Sequence, residues 1–459
     1  MRLEELGYPF WDALQFFGEG HYAQVAGLHL VLGWIAIAGC LLYVALTFSS
    51  QRVGLTIFSF ATALYNNPAY IGGFLNVGEA ASIAAAVVGG ASMVIHRERL
   101  PLITTVLLAV TGVLAAHAVI VALFYDVNPD PWHWEFIQGR AILISKVAVY
   151  AVMLGNLDKF SLPELRRLLA VVSTMAAIAC VLYFFQLALW LAGIQPYGTY
   201  EAAGYSGIPS FGSVSIERGH FGKFLVPLFP VVLLDVWLNR WGVMRALPLL
   251  AASLANFSAS SMSFFAVYLL VTLFLFAPTW LSRPAIFIGA LLLFGILTAS
   301  YVAFSSNFGA VFDKIYFAGV LGEDDIAGRS YWQLSMYLDR FPWGTSYGGS
   351  SVRVLPGLPE LNFGLYAAIA QLSFAAPTVW GLVLFAQLRL LKGLKSLAID
   401  VPYRIALVAI AGYWAVSIAD ILWFIPALWL PFGIFGALVA RDHGLRSFTP
   451  EAPLQPAPA

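Results

Sequence analysis

The sequence predicts an all-α polytopic membrane protein of about 12–14 transmembrane helices, with one large loop on the face away from the cytoplasm. Composition, apolar run length and the placement of basic residues carry that reading. Of 459 residues, 60% are hydrophobic and only 10% charged, and mean hydropathy is +0.82; a soluble domain carries about 25% charged residues. Runs of roughly 20 apolar residues recur, each long enough to cross about 30 Å of hydrocarbon as a helix. Lys and Arg fall in every second connection between those runs.

In chain order, the apolar runs predict helices near 26–47, 53–75, 79–95, 101–124, 141–156, 167–192, 221–238, 244–258, 261–280, 284–305, 363–390, 404–421 and 423–440. Arg52, "HRER" (96–99), "DKFSLPELRR" (158–167), Arg240 with Arg245, Arg283, "RLLKGLK" (389–395) and Arg441 with Arg446 occupy alternate connections. The positive-inside rule makes those cytoplasmic. The opposite face then receives 125–140, 193–220 and 306–362. The chain divides into N-terminal transmembrane helices within 1–305, the large loop 306–362, C-terminal transmembrane helices within 363–440, and a disordered cytoplasmic tail, 441–459. Residues 1–25 lack the continuous apolar core of a cleavable signal peptide. A formal net charge of zero argues against a nucleic-acid partner. Cys40 and Cys180 each sit inside an apolar run, which argues against a disulfide framework.

Charge returns in the large loop. "GEDDIAGRSYWQLSMYLDRFPWGTSYGGSS" (322–351) holds Glu323, Asp324 and Asp325, then Arg329 behind a glycine, then aromatics that include Tyr331 and Trp332. Arg353 and Glu360 follow. The spacing of Arg329, Trp332, Gln333, Met336, Tyr337 and Arg340 predicts a helix that stops at Pro342. An amphipathic surface helix would explain the acids, which favour a helix N-terminus. It does not explain Arg329, which gains nothing from the dipole there; a bound anion does.

A second constellation is "SFGSVSIERGHFGKFLVPLFP" (210–230), where Glu217, Arg218, His220 and Lys223 stand as an external segment enters a helix. Gly219 and Gly222 between them allow a ligand to approach the backbone closely. Snorkelling to headgroups is the plain alternative, but on this face it runs against the positive-inside bias. Guanidinium offers a planar fork of donors suited to phosphate oxygens.

Further candidates are Trp132, His133, Trp134, Glu135, Arg140 and Lys146 around "DVNPDPWHWEFIQGRAILISK" (126–146), where interface anchoring explains the tryptophans. "NFSASSMS" (256–263) is a polar notch between two short helices. No histidine pair has metal-ligand spacing, and Glu323-x-Asp325 is a weak cation motif, so no metal and no cofactor is expected.

The layout resembles the bacterial O-antigen polymerase and O-antigen ligase superfamily, membrane glycosyltransferases with a GT-C-like helical fold. "ERGHFGKFLVPLFP" resembles its arginine-glycine start of a proline-containing helix. "ANFSASSMSFF" resembles its Ser-rich join, "GRSYWQLSMYLDRFPWGTSYGG" the opening of its large periplasmic loop, and "PELNFGLYAAIAQ", with Asn362, the Asn-containing start of the next helix. The likeness covers about 210–375. Ligases of the family are similar in having a histidine where this chain has Pro359-Glu360-Leu361-Asn362, which favours polymerase.

The resemblance implies a bacterial inner-membrane enzyme with a periplasmic active site. It would extend surface polysaccharide such as the O-antigen of lipopolysaccharide from an undecaprenyl-diphosphate-linked glycan donor to a saccharide acceptor. Membrane lipid, flippase and chain-length regulator proteins would be its partners. Arg218, Lys223 and Arg329 would meet the diphosphate charge. Glu323, Asp325, Glu360 or His220 would take the acceptor proton. Arg140, Tyr331, Trp332, Arg353 and Asn362 would contact substrate. A ligase acting on a lipid A core and a lipid-linked oligosaccharide transporter are the alternatives.

Overall fold

The computed structural model describes residues 28–48, 50–63, 70–71, 75–124, 131–196, 200–205, 208–213, 221–222, 225–256, 259–276, 331–347, 361, 364–397, 399–419 and 423–441. The described chain is helical apart from two short hairpins. Its helices are α1 (Leu28–Thr47), α2 (Gln51–Ala63), α3 (Val77–Ile95), α4 (Leu102–Phe124), α5 (Pro131–Gly155), α6 (Leu162–Leu191), α7 (Phe229–Leu238), α8 (Gly242–Ala255), α9 (Ala259–Phe276), α10 (Tyr331–Arg340), α11 (Gly364–Leu372), α12 (Ala376–Ser396), α13 (Asp400–Ala419) and α14 (Pro426–Ala440). The antiparallel ribbons are β1 (Tyr70–Ile71) with β2 (Leu75–Asn76), and β3 (Tyr200–Tyr205) with β4 (Ile208–Ser210). They modify the all-α expectation only at two connections.

Among the described residues, six helical segments are long and apolar enough to cross a membrane: Val77–Ile95, Leu102–Leu123, Arg140–Lys159, Leu162–Leu191, Gly364–Ser396 and Asp400–Ile418. The molecule is therefore a multi-pass membrane protein by length and composition. Shorter apolar helices, such as Gly242–Ala255 and Ala427–Ala440, lie among them. Large apolar side chains face outwards along these elements, including Leu46, Val87, Val94, Leu123 and Leu191. In water such a surface would be a liability; in hydrocarbon it has no cost. Inside, one continuous apolar core joins the helices from Ile37 on α1 to Leu438 on α14.

Boundaries depart from the hydropathy reading where local chemistry intervenes. Of the expected helix 53–75, Gln51–Ala63 is described as helix, 64–69 lie outside the described residues, and the β1–β2 ribbon takes up the end of that run. The helix expected at 141–156 starts ten residues earlier, at Pro131, inside the segment 125–140 read as a loop. Proline is favoured in the first helical turn, where its missing N–H has no partner to lose. Pro377 begins α12 in the same way, after a 3₁₀ turn at Ser373–Ala375 interrupts the run expected at 363–390. Pro227 and Pro230 likewise place a 3₁₀ turn before α7. The expected helix 284–305 and the tail 442–459 lie outside the described residues.

The basic connections gather at one end. Arg52 donates from Nε to Asn156 Oδ1 at 3.0 Å and from its terminal nitrogens to both carboxylate oxygens of Glu98 at 3.2 Å. Lys159 reaches Glu98 at 3.6 Å, and Arg441 donates to the Asp158 carbonyl. Arg245 grips the fully buried Asp235 through two bonds of 2.7 and 2.8 Å. Ser161 and Glu164 form a capping box that starts α6 there. Arg404 donates to the Leu275 carbonyl, a group that the end of α9 leaves open. These are the loops that the charge ladder assigns to one face.

Asn156 ties three helices together, since its amide also donates to Thr56 Oγ1 and to the Ala85 carbonyl. Asn156→Ala removes both donors and the Arg52 acceptor from a fully buried position. We expect it to lower unfolding free energy by roughly 2–4 kcal/mol, read as a drop in the detergent-solubilised melting temperature. An unchanged melting temperature would show that the junction is dispensable.

Candidate functional site

Two polar assemblies occupy the other end of the bundle. The first is where the large loop docks. α10 buries Leu334 and Tyr337 against Leu361, Ala367 and Ala370, a small separate core that seats the helix on α11. The chain then turns at Pro342 and lies along the top of α4 and α11. His117 Nε2 contacts the Trp343 carbonyl at 2.9 Å, Thr345 donates its amide to the Ala370 carbonyl at 3.0 Å, and Ser373 Oγ donates to the Pro342 carbonyl at 2.8 Å. His117 stands fifteen residues along α4 from Leu102, about 22 Å from the charged end. A histidine alone in an apolar helix is thus explained by the loop backbone it holds.

Gly344 lets the segment sit this close. Its φ is +88°, and a Cβ there would lie 2.5 Å from the Gln371 carbonyl oxygen. Beyond it, Ser346 is fully buried, and its hydroxyl makes no hydrogen bond among the described residues. Tyr347 packs edge-on to Phe424, and burial pushes its phenol up, so it stays a neutral hydroxyl. Arg140, on α5, is 5% exposed and within electrostatic reach of His117. Glu79 on α3 and Lys146 on α5 form an ion pair at 2.5 Å.

The second assembly joins two stretches singled out in the sequence. Gly222, from "ERGHFGK", lies directly on the "NFSASSMS" notch: a Cβ on it would fall 2.0 Å from Ser261 Oγ and 2.3 Å from Asn256 Nδ2. Asn256 is fully buried, and neither its amide oxygen nor its nitrogen makes a hydrogen bond among the described residues. Phe221 stacks on Tyr183, whose hydroxyl donates to the Ala255 carbonyl at 2.9 Å. Ser213 donates its amide to Gln186 Oε1 and its hydroxyl to the Ala179 carbonyl, fixing the preceding loop on α6. α8 has 14 residues, about 21 Å of helix, so the notch sits short of a full crossing.

Of the sequence-predicted site residues, Arg140 is placed in the bundle interior at this end. Tyr331 and Trp332 occupy the first turn of α10. Arg218, His220, Lys223, Glu323, Asp325, Arg329, Arg353, Glu360 and Asn362 lie outside the described residues. The side chains of Trp132, His133, Trp134 and Glu135 do too, although their backbone is in α5. Glu79 escaped the sequence reading. A lone acid at the start of one apolar span and a lone lysine within another was the available signal, since charges in spans pair. Among the described residues, no three His, Cys, Asp or Glu side chains come together. No family model matches the chain, and no curated protein matches it.

Gly344→Ala adds left-handed backbone strain to a collision with backbone. It should destabilise loop docking by about 1–3 kcal/mol, seen as faster hydrogen exchange at the Thr345 amide. Exchange unchanged from wild type would mean that the loop can shift without cost.

Proposed function

We propose that the chain is a membrane glycosyltransferase that polymerises undecaprenyl-diphosphate-linked repeat units into bacterial surface polysaccharide at the periplasmic face of the inner membrane. The observation that carries this reading is the seating of Gly222 on the Asn256–Ser261 notch. It brings two of the motifs that resemble the O-antigen polymerase superfamily into contact, at the end of the bundle where a third motif docks. The docking of residues 331–347 away from the Arg52 cluster supports a periplasmic loop. A GT-C-like arrangement and an active site beneath that loop belong to the same proposal.

In the reaction, Arg218, Lys223 and Arg329 hold the diphosphate, and the bond from the anomeric carbon to the diphosphate oxygen breaks. Diphosphate leaves readily once its charge is met by fixed donors, and guanidinium groups meet it without a metal ion. Arg140 adds positive potential from within the bundle. Tyr331, Trp332, Arg353 and Asn362 contact the glycan and its carrier. A ligase reading shares this chemistry and differs in the acceptor, a lipid A core. A transporter reading draws on the Glu79–Lys146 pair, because ionisable pairs within spans often mark transport pathways.

Purified protein supplied with lipid-linked repeat units should make longer lipid-linked chains and release undecaprenyl diphosphate. Arg218→Ala and Arg329→Ala should each cost about 3–4 kcal/mol of transition-state stabilisation. Their losses should be non-additive, as for residues acting on one group. Lys at either position should restore only part, for lack of bidentate geometry. Full activity of both Lys variants at equal protein abundance would remove the two arginines from the site, and lipid movement without chain growth would favour the transporter.

A further inference from the structure

Two apolar helices each carry a charge that the bundle has to accommodate. Glu79 stands in the first turn of α3 and Lys146 inside α5, both within segments able to span a membrane. Charges facing hydrocarbon are strongly disfavoured, so ionisable side chains in spans face the bundle interior or a polar cavity. This pair is not sealed: Lys146 is 35% exposed and Glu79 29%, whereas Asp235 in the ion pair with Arg245 is 0% exposed. Part of the Glu79 carboxylate is therefore left uncovered by the protein.

The pairing uses half of the carboxylate. Lys146 Nζ contacts Oε1, and Oε2 makes no hydrogen bond among the described residues. Glu79 is sixteen residues, about 24 Å of helix, from Ile95, beyond which Glu98 meets Arg52 at the charged end. The pair therefore stands towards the loop-docking end. Asp339, another carboxylate at this end, is on the exposed side of α10.

We propose that Glu79 is the proton acceptor of the glycosyl transfer, with Lys146 as the positioning residue that holds Oε1 and leaves Oε2 for the proton. This rests on the glycosyltransferase reading and deepens it. The acceptor hydroxyl gives its proton to Glu79 Oε2 as its oxygen bonds to the anomeric carbon. The bond from that carbon to the diphosphate oxygen breaks, and its electron pair leaves on the diphosphate. One negative charge disappears from the carboxylate as one appears on the leaving group. The neutral acid then returns its proton to water.

The test uses the full-length protein in nanodiscs with lipid-linked repeat units. Glu79→Gln keeps the size of the side chain and an acceptor for Lys146. It should lower kcat by about 100- to 1,000-fold while the KM for donor stays within about twofold. Formate should restore part of the rate to Glu79→Ala, and Lys146→Arg should keep most of it. A salt bridge that merely ties α3 to α5 predicts a near-normal rate for Glu79→Gln and no effect of formate; either result would overturn the assignment. Wild-type protein that elongates no chains would remove the glycosyltransferase reading and this inference with it. Wild-type elongation with an undiminished Glu79→Gln rate removes the base alone.

Discussion

Arg52 has to bury most of a guanidinium at the edge of an apolar bundle, and the way it is satisfied organises the fold. A desolvated charge is tolerated only when paired and hydrogen-bonded. Glu98 supplies the opposite charge, while Asn156 and Ser92 accept the remaining donors. Because those partners come from the end of α3, the following connection and the end of α5, the four helices α2 to α5 are locked in register at one end. Arg441 joins the last helix to the same place through the Asp158 carbonyl. The asymmetry of the molecule starts here: one end is closed by ion pairs, and the other is free to hold a site.

That other end is built from different materials. Its contacts are mostly backbone to side chain: a histidine on a tryptophan carbonyl, a threonine amide on a helix carbonyl, a glycine pressed against a polar notch. Such contacts fix a loop without filling the region with charge. They leave Arg140 and the amide of Asn256 buried, where electrostatic effects on a nearby group are large. In the proposed reaction, a diphosphate leaving group would draw on such fixed donors. The same arrangement explains why a chain so poor in charge keeps its remaining charges in a few segments.

Hydropathy and basic residues made the helices and their two ends legible, because a span must be long and apolar and its cytoplasmic flank rich in Lys and Arg. Pro131 was not legible as a helix start. The stretch "PWHWEFIQGR" is polar enough to read as a loop, and its helix depends on continuing into the apolar run behind it. The helix from Tyr331 to Arg340 was legible from its spacing, and its stop at Pro342 from the proline itself. Where it docks was not, since the partners of Trp343 and Thr345 are a histidine and a carbonyl far away in sequence. Gly222 and Asn256 were each visible as unusual residues, but only the fold puts one on the other. Glu79 stayed hidden because a single acid at a helix start has an ordinary explanation in the helix dipole.

In the proposed reaction two arginines distant in sequence, Arg218 and Arg329, serve one diphosphate. Paired cysteines at these two positions, treated with a short bifunctional thiol reagent in membranes, test it most directly. Cys40 and Cys180 are buried and leave the background low. A cross-link should form within one chain, and undecaprenyl diphosphate should block it. Two cysteines that each react with a monofunctional reagent, yet never bridge, would contradict it.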